Sequence, residues 1–226
     1  MSDLIWHSHW VDGAARPVPR MADPPAASQL HAFLSSRRSI RRYLEAPLSG
    51  DLVAALIEVA QRAPSAHHRQ PWRWVVLADP VRRQRLAAAM GEAWAVDLRA
   101  DGVDDEEIAR LLRRSAQRLT APPCAVLPCL TMENMDRYPD PTRQLREWQM
   151  AVQSVALATQ TLMLAAHAVG LGSCWICAPI FCPDVVRATL DLPEAWEPQG
   201  LVTLGWPADN GRDRPRQPVA QTVIWR

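Results

Sequence analysis

The sequence contains no lysine: all 25 of its basic side chains are arginine. A GC-rich coding sequence accounts for that bias, together with the many alanines and the 20 prolines, but the absence has chemical consequences whatever its origin. Schiff-base chemistry through lysine is excluded, and any phosphate held by side-chain charge must be held by guanidinium forks. An excess of one charge sign is lacking too, since 25 basic and 24 acidic residues leave a formal net charge of +1. No surface-wide field exists to attract a polyanion, so nucleic acid is not an expected partner. Neither G-x-G-x-x-G after a strand nor G-x-x-x-x-G-K-[ST] occurs, which removes the Rossmann fingerprint and the P-loop. Gly170-Leu171-Gly172 lacks a third glycine and reads as a helix stop.

The start, MSDLIWHSHW, has no basic region followed by an apolar core, so a cytoplasmic protein with free thiols is expected. Of the five cysteines, Cys174 and Cys177 form C-x-x-C, whereas Cys124 and Cys129 have four residues between them and flank a strand-like run. Buried apolar cysteines are the expectation rather than zinc or dithiol chemistry. With 48% apolar and 22% charged residues the composition is that of a globular protein. Ala151 to Gly172 carries no formal charge, but Gln153, Ser154, Thr159, Gln160, Thr161 and His167 are costly in hydrocarbon. That stretch is read as a central helix buried on nearly all sides, in part by a partner subunit, and not as a membrane span.

Residues 1–27, rich in proline and without sustained period, read as an extended arm, and residues 28–226 as the folded domain. Ser28 caps a short helix to about Ser36, and Ser49 caps the next, over 50–62, which Pro64 stops. Trp72–Leu77 reads as a strand, Asp79-Pro80 as a helix start, and residues 104–118 as a helix acidic at its beginning and basic at its end, its charges taken as a solvated face. A buried strand from Ala125 to Thr131, the long helix from Arg143 to Ala168, a strand at 173–177, a helix opened by Pro183-Asp184 and a strand from Gly200 to Trp206 complete an α+β pattern.

Arg37-Arg38-Ser39-Ile40-Arg41-Arg42 sets four guanidinium groups and a hydroxyl within six residues, and Arg212-Asp213-Arg214-Pro215-Arg216 forms a second cluster. On charge alone such a run is a solvated basic turn or an anion site, since arginine forks and a serine hydroxyl match phosphate oxygens. The stretch APSAHHRQPW at 63–72 places two histidines where an amphipathic helix gives way to an apolar strand.

RRSIRRY, APSAHHRQPWRWVVL, GLGSCWI and the terminal Arg-x-Arg, in this order from about residue 30 to 225, resemble the nitroreductase family of flavin enzymes. Within it, His67-His68 and the SCWI, IF, LDLP and WEP-G elements are similar to the nitroreductase-like domain of the bifunctional coenzyme F420 glutamyl ligase, here without a ligase domain. The resemblance implies an FMN-binding homodimer with a central mixed or antiparallel sheet, flanking helices and a long buried helix at the dimer interface. It implies that Arg37, Arg38, Ser39 and Arg41 hold the FMN phosphate and ribityl chain, joined by Arg214 and Arg216. Pro64, Ser65, His68 and Gln70 would reach the flavin of the partner subunit, and Ile176 and Cys177 would pass its ring. His68 stands where many members have asparagine, and Cys177 where a small or acidic residue is common.

The implied activity is reduction of a small-molecule acceptor with NAD(P)H or another reductant, with His67 or His68 as proton donor or binder of an acidic substrate. The dehydro form of the F420 precursor, nitro compounds and quinones are the candidate acceptors. A flavin- or F420-binding protein without turnover is the alternative.

Overall fold

The computed structural model describes residues 26–226, so the arm expected over 1–27 lies, up to residue 25, outside the described residues. The chain divides into two units, Met1–Ser35 and Ser36–Arg226. Helix α1 (Ala27–Ser36) starts from the Ala26 carbonyl, which accepts the N–H groups of Gln29 and Leu30. Ser28 therefore lies inside the first turn and is not its cap.

In the second unit the caps act where side-chain chemistry puts them. Ser49 Oγ accepts from Leu52 N ahead of α2 (Gly50–Ala60). Asp79 accepts from Val81 N and Pro80 opens α3 (Pro80–Ala100), while Asp104 accepts from Glu107 N at α4 (Asp105–Thr120). The long helix α5 (Pro141–Ala168) begins two residues before the expected Arg143, because Asp140 caps it and Pro141 fits its first position.

Strands β1 (Trp72–Leu77), β2 (Cys124–Leu130), β3 (Gly172–Ile176), β4 (Glu197–Pro198) and β5 (Leu201–Gly205) form one sheet in the order β1-β2-β5-β3, with β4 also beside β2. Every strand pair is antiparallel. β2 is buried along its whole length and tolerates Pro128 because the register against β4 and β5 slips by one residue there. Alternation splits its side chains between two cores. Val126 joins Val202, Leu204, Leu162 and Ala166 under α2 and α5, while Ala125, Leu127 and Cys129 meet Leu86, Met90 and Val186 of α3 and of α6 (Pro183–Leu190).

Within the single chain the α5 helix is buried as a stripe: Val155, Ala158 and Leu162 are inaccessible, while Gln153, Leu157 and Gln160 are exposed on the side left for the expected partner subunit. Its hydroxyls cost little because Ser154, Thr159 and Thr161 donate to the carbonyls four residues back. Among the described residues no helix is long and apolar enough to cross a membrane.

Arg37 to Leu44 is neither helix nor free turn but an extended strip along the β3 edge. Ile40 N donates to Ser173 O at 2.9 Å, Leu44 N to Trp206 O at 2.9 Å, and Ala208 N returns a bond to Arg42 O at 3.0 Å. Close approach requires a glycine. A Cβ on Gly172 would lie 2.7 Å from the Cβ and Cγ2 of buried Ile40. Gly172→Ala is expected to destabilise by about 1–3 kcal/mol through overpacking, lowering the urea midpoint at unchanged slope. A wild-type midpoint would mean the strip is not held against β3.

Candidate active site

The edge strip alternates its side chains. Ile40 turns inward, and the Tyr43 hydroxyl, also directed into the domain, donates to Ile40 O at 2.6 Å and lies 2.7 Å from Thr203 Oγ1. Burial is the main cause of the rise in its pKa above the ordinary phenol value. Arg37 is half-buried, and its Nη1 is fully buried with no hydrogen-bond partner. Leaving a guanidinium N–H desolvated and unpaired is costly, so Nη1 marks a place for an acceptor.

The C-terminal segment crosses the same strip. Arg38 Nη2 pairs with Asp213 Oδ1 at 3.1 Å, and Gly211, in the left-handed region at φ 66°, packs where a Cβ would meet Arg38 Cβ and Ile40 Cδ1 at 3.0 Å. This brings the two arginine clusters that the sequence sets far apart to one edge. Arg214 and Arg216 themselves are exposed, with Arg216 Nη1 donating to Arg214 O at 2.6 Å.

Beside the strip opens a cavity of about 680 Å³, lined by Arg41, Ile176 and Cys177 together with residues of α3 and α4. Arg41 and the adjacent Ile176 and Cys177, expected from two separate segments, thus line one cavity. Sequence reading missed the opposite wall, where Trp94 of α3 and Arg114, Ser115 and Arg118 of α4 face the cavity. The α4 charges are solvated as expected, and Arg114 and Arg118, four residues apart, share an exposed side that also borders the cavity. Only the coincidence of Arg114 and Arg118 with the apolar stripe containing Leu111 and Leu119 could have signalled it.

Ser65, His67, His68 and Gln70 do not line this cavity within the chain. Their loop is fastened to α5, with Ala66 N donating to Ser154 Oγ at 3.3 Å and Gln70 N to Ser65 Oγ at 3.1 Å. Pro64, His67 and His68 are exposed, and the His68 ring lies 2.9 Å from Gln70 Nε2. His67, His68 and Gln70 all adopt left-handed φ, at 49°, 58° and 50°. Non-glycine residues held there cost about 1–3 kcal/mol each, and such strain concentrates at functional sites.

The thiols divide by environment. Burial pushes Cys124 up to about 11 and Cys129 up to about 12. Cys174 is also raised, chiefly by burial, against the pull of Arg41, Arg118 and Arg37. Cys177 is exposed at the cavity and Cys174 is buried, both as free thiols. Among the described residues no group of three or more His, Cys, Asp or Glu could hold a metal ion.

A cavity of this size, edged by arginine and lying between an antiparallel sheet and a helical hairpin, suits a cofactor or small anionic ligand in an α+β protein. The nitroreductase family pattern matches residues 34–206, and the chain belongs to that family of oxidoreductases. It is 34% identical over 205 residues to an NADH dehydrogenase of Thermus thermophilus, covering 84% of this chain and 92% of the relative. It is 30% identical over 191 residues to a 5,6-dimethylbenzimidazole synthase of Rhodospirillum rubrum, covering 83% and 86%. A Desulfovibrio desulfuricans nitroreductase solved in complex with FMN superposes with a TM-score of 0.68 at 25% identity, over 90% of this chain and 98% of that one.

Iodoacetamide at pH 8 is expected to label native Cys177 first and to spare Cys124 and Cys129, with all five thiols reacting in denaturant. Peptide mass mapping checks this, and equal native labelling of Cys129 would contradict the burial described.

Proposed function

We propose that the protein is an FMN-dependent oxidoreductase that takes electrons from NAD(P)H or another reductant and reduces a small-molecule acceptor. The observation that carries this reading is the buried, unpaired Nη1 of Arg37 at an arginine strip bordering a cofactor-sized cavity. The residues fit the group. Arg37, Arg38, Ser39 and Arg41 would hold the phosphate and ribityl chain, with Arg214 and Arg216 joining from the segment that Asp213 ties to Arg38. Backbone amides at Ile176 and Cys177 would bond the polar edge of the ring. When bound, FMN supplies the two-electron redox chemistry, so the protein needs no acid, base and nucleophile constellation of its own.

The chain's own part is to orient and to exclude water, with Trp94 and Phe181 walling the cavity. Pro64, Ser65, His68 and Gln70 would complete the site of a partner subunit in a homodimer, which agrees with their lying outside the cavity of their own chain. In that position His67 or His68 would deliver a proton to the acceptor or bind its acidic group. The NADH dehydrogenase relative favours a nicotinamide donor. For the acceptor, the SCWI, LDLP and WEP-G likeness favours the dehydro-F420 precursor, while nitro compounds and quinones suit a general reductase.

The purified protein is expected to be yellow, absorbing near roughly 450 nm as flavins do. Arg37→Gln is expected to weaken FMN binding by about 10- to 100-fold, since a hydrogen bond to a charged group contributes about 1.5–3 kcal/mol. Anaerobic reduction followed by mixing with dehydro-F420, nitroaromatics or quinones then identifies the acceptor. A protein that stays reduced with all of them is a binding protein, and 5,6-dimethylbenzimidazole formed in air would favour the activity of the second relative. Unaltered turnover in both His67→Ala and His68→Ala, with flavin bound, would remove the proton-transfer role.

A further inference from the structure

The side of α4 that borders the cavity carries two exposed arginines, Arg114 and Arg118, that no ion pair among the described residues neutralises. Arg110 on the same helix is held by Glu107 through paired bonds of 2.6 and 2.5 Å, and Arg99 is paired with Asp105 at 3.4 Å. Among the described residues Arg41, Arg114 and Arg118 take part in no ion pair, yet all three line the cavity. An unneutralised guanidinium facing a partly closed space is stabilised by an anion arriving there.

Position along the helix selects which anion. The carboxylates of the cavity, Asp97 and Asp101, lie at the C-terminal end of α3, beside the start of α4, where Arg99 meets Asp105. Arg118 is 13 residues further along α4 than Asp105, roughly 20 Å at 1.5 Å per residue. The cavity is therefore acidic at one end and cationic at the other. Arg118 belongs to the cationic end, because it lines the cavity together with Arg41, Tyr43, Cys174 and Thr203. Arg41 comes from the edge strip and Arg118 from the opposite wall, so the two face the cavity from two sides.

Resting on the FMN reading above, we infer that Arg118 is a further guanidinium on the flavin phosphate, supplied by α4, and that the α3–α4 hairpin is thereby latched by the cofactor. The edge strip alone would bind from one side. With Arg118 the phosphate is gripped between strip and hairpin, and its dianionic charge is matched from both walls.

Titration of the apo-protein with FMN and with riboflavin, followed by flavin fluorescence quenching, tests this. Arg118→Gln is expected to lose about 10-fold or more in FMN affinity while riboflavin affinity changes less than about 2-fold. Arg118→Lys should recover part of the loss, and Arg113→Gln, exposed and away from the cavity, should match wild type. In hydrogen exchange, FMN but not riboflavin should protect α4 in the wild type, and neither should in Arg118→Gln. An unchanged thermal midpoint of apo Arg118→Gln assigns its loss to binding and not to folding. Failure of the wild type to bind FMN, or an unaffected Arg37→Gln, overturns the FMN reading itself. Loss of phosphate preference in Arg37→Gln with full retention in Arg118→Gln overturns only the role of Arg118.

Discussion

The docking of Arg37–Leu44 onto the edge of β3 is the constraint on which the rest of the site depends. Three backbone bonds, from Ile40 N to Ser173 O, Leu44 N to Trp206 O and Ala208 N to Arg42 O, fix this strip between β3 and the chain leaving β5. Ile40 can enter the core only because position 172 has no Cβ. Once the strip is seated, alternation decides the outcome. Arg41 reaches the cavity, Arg37 is driven half under the surface with an N–H unsatisfied, and Arg38 turns to Asp213. An ordered arginine cluster at a fixed edge is worth more to an anion than the same charges on a mobile turn, because the ordering entropy has been lost on folding and not on binding.

The remainder of the fold supports that edge from beneath. β2 is buried on both faces, and β5 joins it to β3, so the edge strip stands at the end of a chain of antiparallel pairs. The helical hairpin α3–α4 rests on the face opposite α5, through Leu86 and Met90, and closes the cavity over Ile176 and Cys177. On the α5 side the strained 65–70 loop is carried away from its own cavity, fastened by Ser154 and by the Arg69–Asp136 pair at 2.6 Å. A loop that stores strain yet does not line the arginine-edged cavity of its own chain suits a site shared between two subunits.

Much of this was legible in the sequence because local chemistry decided it. Ser49 and Asp79 cap where their spacing predicts, and the strands fall where β-branched and aromatic residues cluster between turn signals. The likeness of RRSIRRY to a flavin-binding motif pointed to a segment whose Arg41 and Tyr43 line the cavity. What stayed illegible depends on tertiary contacts. Helical spacing shows that Arg114 and Arg118 share a face, but cannot tell a face that meets water from one that meets a cavity. Nor could periodicity reveal that α5 leaves Gln153, Leu157 and Gln160 exposed, since an uncharged helix reads alike whether covered or open. The start of α1 was misplaced because serine tolerates a first helical turn as readily as the cap, and here the Ala26 carbonyl closes that turn.

The central claim is that the arginine edge holds the phosphate of a flavin, and phosphorus NMR of FMN added to the apo-protein tests it most directly. A phosphate clamped by guanidinium groups is held as the dianion, so its resonance is expected to shift on binding and to stop titrating near pH 6, where a free phosphate monoester ionises at about that value. A resonance that titrates as it does for free FMN would contradict the account.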